Sequence, residues 1–76
     1  MILTNFIDHF AAQFDETDAC IFQSETKFKE LSEWSSLIAL SIIAMVDEEY
    51  NVKLKGDDIR NSNTIEDIFN IIKSKA

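Results

Sequence analysis

Apart from carboxylates, which are abundant but not paired with a basic catalytic group, this chain has few side chains suited to catalysis. His9 is the only histidine, Cys20 is the only cysteine, and the two lie far apart in the sequence. With one glycine and no metal-ligand spacing, the chain lacks the common phosphate-binding and metal-binding motifs. The pair Asp57-Asp58 lacks the twelve-residue loop and closing glutamate of a calcium site. These features argue against an enzyme, and we expect His9 on the solvent-facing side of a helix.

Two neighbouring serines offer a different chemistry, in which a hydroxyl accepts a covalent group. Ser35 and Ser36 follow Trp34 and precede an apolar stretch that begins at Leu37. Serine is a preferred N-terminal cap of helices, so local sequence alone explains either residue as a cap. The free N–H groups at a helix N-terminus also attract phosphate groups. Both interpretations place the pair at the start of a helix.

Hydrophobic periodicity predicts an all-α fold with three main helices and one short helical turn. The first helix is predicted from Ile2 to Phe14 and the second from Ser36 to Tyr50. A short helical turn is predicted from Asp57 to Asn61. The last helix is predicted to begin at Thr64, capped by its hydroxyl with Asp67 as the reciprocal partner.

The second helix carries apolar residues on more than one side. One face is expected to be core and contains Ala39, Ile42, Ile43, Val46 and Tyr50. We place Leu37 and Met45 on the opposite side, partly exposed, and favour a docking surface there. The alternative is that the polar stretch from Asp15 to Trp34 covers them. That stretch is expected to be pinned to the core by four apolar side chains: Ile21, Phe22, Phe28 and Leu31.

Length and charge limit the remaining possibilities. At 76 residues, 46% of them hydrophobic, the chain is expected to form one domain spanning residues 1–76. The net charge of -7 argues against nucleic acid and favours basic protein partners. No apolar run is long enough for a membrane span. A lone cysteine and the lack of a signal peptide suggest the cytoplasm, and we expect a monomer.

Over essentially its whole length, the chain resembles acyl carrier proteins, members of the phosphopantetheine-dependent carrier superfamily. The hallmark of these carriers is a modified serine followed by leucine at the start of the second helix, and Ser36-Leu37 is similar to it. The stretch from Met45 to Tyr50 resembles the end of that helix. The stretch from Thr64 to Asp67 resembles the start of the last one.

The resemblance implies a small right-handed bundle of three main helices plus one short helix. It also implies that a phosphopantetheinyl transferase attaches phosphopantetheine from coenzyme A to Ser36. The arm would carry acyl groups as thioesters to acyl-transferring and condensing enzymes, in fatty acid, lipid or secondary-metabolite biosynthesis. The carrier itself would catalyse nothing. The positions matching the family's acyl pocket are Phe28, Val46, Leu54, Ile59 and Ile68. The positions matching its partner-binding surface are Ser35, Leu37, Ser41, Met45, Asp47 and Glu48.

The sequence departs from the family pattern near the predicted attachment site. Ser35 stands where an aspartate is usual, and Ile38 and Ser41 stand where fatty-acid carriers typically have acidic groups. Charge is therefore expected to contribute less to docking, and a specialised product is a reasonable expectation. Two alternatives stay open: a peptidyl or aryl carrier, and a helical adaptor with the same fold that is never modified.

Overall fold

The computed structural model describes residues 2–76 as four α-helices joined by one long and two short connections. Helix α1 spans Leu3–Ala11, α2 spans Ser36–Tyr50, α3 spans Gly56–Arg60 and α4 spans Ile65–Lys75. The described residues contain no strand. Helix α1 packs on α4, and α3 contacts both α2 and α4. The prediction of three main helices plus a short one is confirmed.

Helix α1 is shorter than predicted, although its apolar stripe is buried as expected. After Ala11 the chain continues in tight turns, in which the N–H groups of Gln13 and Phe14 donate to the carbonyls of Phe10 and Ala11 at 3.1 and 3.0 Å. These are i→i+3 bonds, which tighten the end of a helix. Phe14 still reaches the core and is 6% exposed.

Aromatic rings form most of the core near α1. The ring of Phe10 lies 5.5–6.2 Å from the rings of Phe6, Phe14, Phe22 and Phe28. Because Phe22 and Phe28 come from the long connection, this packing pins that segment as predicted. Ile21 was also expected to be an anchor, but its side chain is 46% exposed. Its one-turn 3₁₀ helix, residues 19–21, turns only the neighbouring Phe22 inward.

A carboxylate organises the beginning of the long connection. Glu33 accepts hydrogen bonds from the backbone N–H groups of Asp15, Glu16 and Thr17 and from the Thr17 hydroxyl, at 2.7–3.0 Å. The two ends of the connection are therefore joined directly. This fixes the path of the chain as it approaches α2.

The start of α4 agrees with the prediction from sequence. The Thr64 hydroxyl accepts from the N–H of Asp67, and the Asp67 carboxylate accepts from the N–H of Thr64. The N–H groups of Ile65 and Glu66 donate to carbonyls at residues 26 and 24 of the long connection. The first turn of α4 thus has protein partners for its free N–H groups.

The structure corrects the expected exposure of Met45. Its side chain is only 7% exposed and belongs to the hydrophobic core. At about 100° per residue, Met45 lies about 60° from the fully buried Ile42, at the margin of the core face and not opposite it. Its long, flexible side chain reaches the core from that margin.

The expected solvent-facing position of His9 is also wrong. Its imidazole is half-buried, and its Nδ1 lies 2.8 Å from the hydroxyl of Tyr50 at the end of α2. The two rings pack edge to face with centroids 5.7 Å apart. His9 therefore links α1 to α2. Burial, together with the negative charge of Glu49, raises the pKa of Tyr50 above its ordinary value.

Candidate functional site

The chain enters α2 through a tryptophan held by other aromatic rings. The ring of Trp34 packs edge to face on Phe28, with centroids 4.8 Å apart, and stacks on Phe14 at 6.3 Å. Its backbone N–H donates to the carbonyl of Leu31 at 3.0 Å. Since Phe28 is fully buried, this packing fixes the position of the two serines that follow.

The two serines have different structural roles. Ser35 is the N-cap of α2, and its hydroxyl oxygen accepts a hydrogen bond from the N–H of Ile38 at 3.3 Å. Ser36 is the first helical residue and is exposed to solvent. The capping role proposed for either serine thus belongs to Ser35. The hydroxyl of Ser36 remains available for another function.

No carboxylate in the first turn of α2 offsets the positive end of the helix dipole. A helix of 15 residues has a partial positive charge at its N-terminus, and no acidic residue lies in the first turn of α2. Its acidic residues lie at the far end, where Asp47 pairs with Lys53 at 2.8 Å. A phosphate joined to Ser36 would therefore meet the favourable end of the helix dipole.

Next to Ser36 lies a groove with a volume of about 400 Å³. Its lining is mainly apolar and comes from the long connection, α2 and α3. The main apolar side chains are Trp34, Ala39, Leu40, Ile43 and Ile59. Ser35 and Ser36 also line it, together with the exposed cations Lys29 and Arg60. A chain attached to Ser36 would thus have an apolar surface directly beside its attachment point.

The structure separates the residues matched to an acyl pocket. Ile59 lines the groove. The other four lie buried in the core and outside the groove lining: Phe28, Val46, Leu54 and Ile68. Sequence reasoning did not assign Ile43, Lys29 or Arg60 to a site. The four-residue spacing from Ala39 to Ile43 could have shown that both lie on one side of α2. No local sequence pattern indicated that Lys29 and Arg60 belong to the groove.

The residues matched to a partner surface also divide. Leu37 is 76% exposed, and Ser35 and Glu48 are exposed as well, whereas Ser41 and Asp47 are half-buried. Leu40, which sequence reasoning did not single out, is 61% exposed. The resulting stripe on α2 runs through Leu37, Leu40, Ala44 and Glu48, at three- and four-residue steps. The long connection does not cover it.

Comparisons of the chain with protein-family models, curated proteins and solved structures found no match. Within residues 2–76, no group of three or more His, Cys, Asp or Glu side chains is arranged to hold a metal ion. None of the helices in that range combines the length and the apolar character that a membrane crossing requires.

Proposed function

We propose that this chain is an acyl carrier protein whose Ser36 accepts phosphopantetheine from coenzyme A. The observation that carries the proposal is the exposed Ser36 on the first turn of α2, next to an apolar groove. The neighbouring Ser35 already serves as the helix cap. An exposed alcohol, a positive helix end and an apolar groove suit an arm joined through a phosphodiester and bearing an acyl group.

Attachment requires the Ser36 hydroxyl to act as a nucleophile. Its oxygen forms a bond to the phosphorus that bears pantetheine, and the bond from that phosphorus to the bridging oxygen breaks. Adenosine 3′,5′-bisphosphate leaves, and the serine proton passes to a base on the phosphopantetheinyl transferase. The N-terminal position on α2 assists because the free N–H groups stabilise the resulting phosphodiester.

The carrier's own contribution is tethering and shielding. The arm, when attached, supplies a terminal thiol that holds an acyl group as a thioester. Tethering raises the effective concentration of the acyl group at each partner active site. The groove formed by Trp34, Ile43 and Ile59 offers apolar surface to that acyl group between partners.

The proposed docking surface for the transferase and for acyl-transferring and condensing enzymes is the exposed side of α2. It begins next to Ser36 with Leu37 and Leu40 and ends with the acidic Glu48. An apolar centre bordered by polar residues is typical of protein interfaces. Met45, which matches the family's partner-binding surface in sequence, is buried and lies outside this exposed surface.

The direct test measures intact mass after incubation with coenzyme A and a broad-specificity phosphopantetheinyl transferase. We expect the mass to increase by one phosphopantetheine group. Ser36→Ala is expected to abolish the increase without unfolding the chain, because alanine is favourable on an exposed helical position. Ser35→Asp is the matched control, since it removes the adjacent hydroxyl but retains a good N-cap.

Three results would contradict the proposal. One is an unchanged mass of the folded wild-type protein, which would favour an unmodified adaptor that uses the α2 stripe. A second is modification that persists in Ser36→Ala. A third is modification that disappears in Ser35→Asp while circular dichroism remains helical.

A further inference from the structure

The charge of the groove differs from the charge of the chain as a whole. The chain has 14 acidic and 7 basic side chains, but Lys29 and Arg60 line the groove and no Asp or Glu is among its lining residues. Chance placement on so acidic a chain would favour carboxylates there. The groove is thus a local exception that combines apolar surface with positive charge.

Both cations retain capacity to bind an anion. The Lys29 ammonium donates to the backbone carbonyl of Arg60 at 2.8 Å, which holds it at the end of α3 and leaves two further N–H donors. The ion pairs in the described part of the chain involve Lys53, Arg60 and Lys75, so Lys29 is not neutralised by a carboxylate. Arg60 pairs with Asp57 through Nη2, which offsets its charge, and its other guanidinium N–H groups remain as donors.

The size and surface of the groove suit a small amphiphilic ligand. Its volume of about 400 Å³ is near the lower end of the range of about 300–1,000 Å³ for small-molecule pockets. Trp34, Ile43 and Ile59 favour hydrocarbon. Because Lys29 and Arg60 both line the groove, they can form charged hydrogen bonds with a carboxylate bound there. An uncharged acyl chain would use only the apolar part of this surface.

We propose that the cargo of this carrier is an acyl group with a free carboxylate at its far end, and that Lys29 and Arg60 bind that carboxylate. The inference rests on the proposed function, because an arm attached at Ser36 begins at the groove and can fold back to place its cargo there. The cargo would thus be a dicarboxylic acid joined to the arm through one of its two carboxyl groups.

The test compares two cargoes of equal carbon number. Apo-protein is loaded from hexanoyl-, adipoyl- or unacylated coenzyme A by the transferase, and intact mass verifies each product. Thermal unfolding and the fluorescence of Trp34, the only tryptophan, then report on the groove. We expect the adipoyl form to have the highest melting temperature and the largest shift in Trp34 emission. We expect this excess over the hexanoyl form to decrease with added salt.

Variants assign the effect to the two cations. Lys29→Gln and Arg60→Gln are each expected to abolish the excess, measured against the unloaded form of the same variant. Lys29→Arg is expected to retain it, because the charge is kept. Lys73→Gln is the matched control, since Lys73 is an exposed lysine on α4 that does not line the groove.

The other possible results distinguish failure of the proposed carrier function from failure of carboxylate binding by Lys29 and Arg60. Failure to load any form contradicts the proposed function itself. Successful loading with equal shifts for hexanoyl and adipoyl forms overturns this inference alone. An adipoyl excess that survives both glutamine variants shows that these cations do not bind the carboxylate. If the variants alter the unacylated form as strongly, the anion they bind is the arm's own phosphate, and the inference is also wrong.

Discussion

Glu33 joins the two ends of the connection that leads to Ser36. Its exposed fraction is intermediate, and its carboxylate accepts four hydrogen bonds from residues 15–17. The hydrogen bond from the Thr17 hydroxyl lowers the pKa of Glu33 from its ordinary value of 4.5, and those from the three backbone N–H groups lower it further. Partial burial acts in the opposite direction but is outweighed. The folded state therefore stabilises the ionised carboxylate of Glu33 relative to the unfolded state.

A pH-dependent contribution to stability follows from this lowered pKa. Because the folded pKa of Glu33 lies below the unfolded one, the stabilisation is fully present above pH 4.5 and is lost as the pH falls through the folded value. We expect Glu33→Gln to lower the melting temperature at pH 7. The difference from wild type should shrink progressively below about pH 4.5, as measured by circular dichroism in a pH series.

Glu30→Gln is the control for this experiment, since Glu30 lies exposed on the nearby 3₁₀ turn and undergoes the same charge change. We expect it to change the melting temperature little at any pH. A difference between Glu33→Gln and wild type that stays constant from pH 7 to pH 3 would show that the ionised carboxylate does not hold this connection.

The serine pair shows what single residues do and do not reveal in a sequence. Residue type alone left both hydroxyls as candidate caps. In the structure, the hydrogen bond from the Ile38 N–H to the Ser35 hydroxyl identifies Ser35 as the N-cap. Which serine becomes the cap depends on the backbone path that the packing of Trp34 sets. That path depends on packing between residues distant in sequence, which no local preference encodes.

Among the elements, α2 has the boundaries that its sequence predicts. A serine cap at its start and Asn51 after its end are strong local signals, and the helix spans Ser36–Tyr50 between them. The orientation of the helix was harder to infer. Met45 was misplaced because α2 buries a wide arc, and a side chain at the margin of that arc is directed inward by packing. When a helix contacts the core over a wide arc, its sequence does not divide clearly into one apolar face and one polar face.

Asn51 ends α2 in the left-handed conformation, with φ of 57°. Asparagine tolerates this region better than most residues, whereas alanine meets a steric penalty of about 1–2 kcal/mol there. We expect Asn51→Ala to lower the free energy of unfolding by about 1 kcal/mol, measured by urea denaturation. Asn51→Gly should be at least as stable as wild type. Equal losses in both variants would assign the role of Asn51 to its side chain and not to its backbone.

On the scale of the whole molecule, the core was easier to predict than the groove. The predicted apolar stripe of α4, which contains Ile65, Ile68, Phe69 and Ile72, is buried throughout. Such stripes are visible because each lies on one helix. The groove combines Lys29, Ile43 and Arg60 from three separate segments. Its existence depends on how α2, α3 and the long connection meet, and periodicity within one helix contains no information about that meeting.

The same core leaves this small fold sensitive to loss of packing. At about 0.05–0.15 kcal/mol per residue, a 76-residue domain has a total stability of about 4–11 kcal/mol. Phe6 and Ile42 are both fully buried. Phe6→Ala is expected to cost about 3–5 kcal/mol and Ile42→Ala about 2–5 kcal/mol, each a large part of that total.

A smaller truncation of Ile42 still tests the role of this core position if the alanine variants do not fold. Ile42→Val should cost about 0.5–1.5 kcal/mol in urea denaturation, with an unchanged slope. Leu40→Ala is the matched control on the same helix, because Leu40 is 61% exposed, and it should change stability by less than about 0.5 kcal/mol. If Leu40→Ala cost as much as Ile42→Ala, the described orientation of α2 would be wrong. The groove beside Ser36 would then also have to be redrawn, because that orientation places Ala39, Leu40 and Ile43 along it.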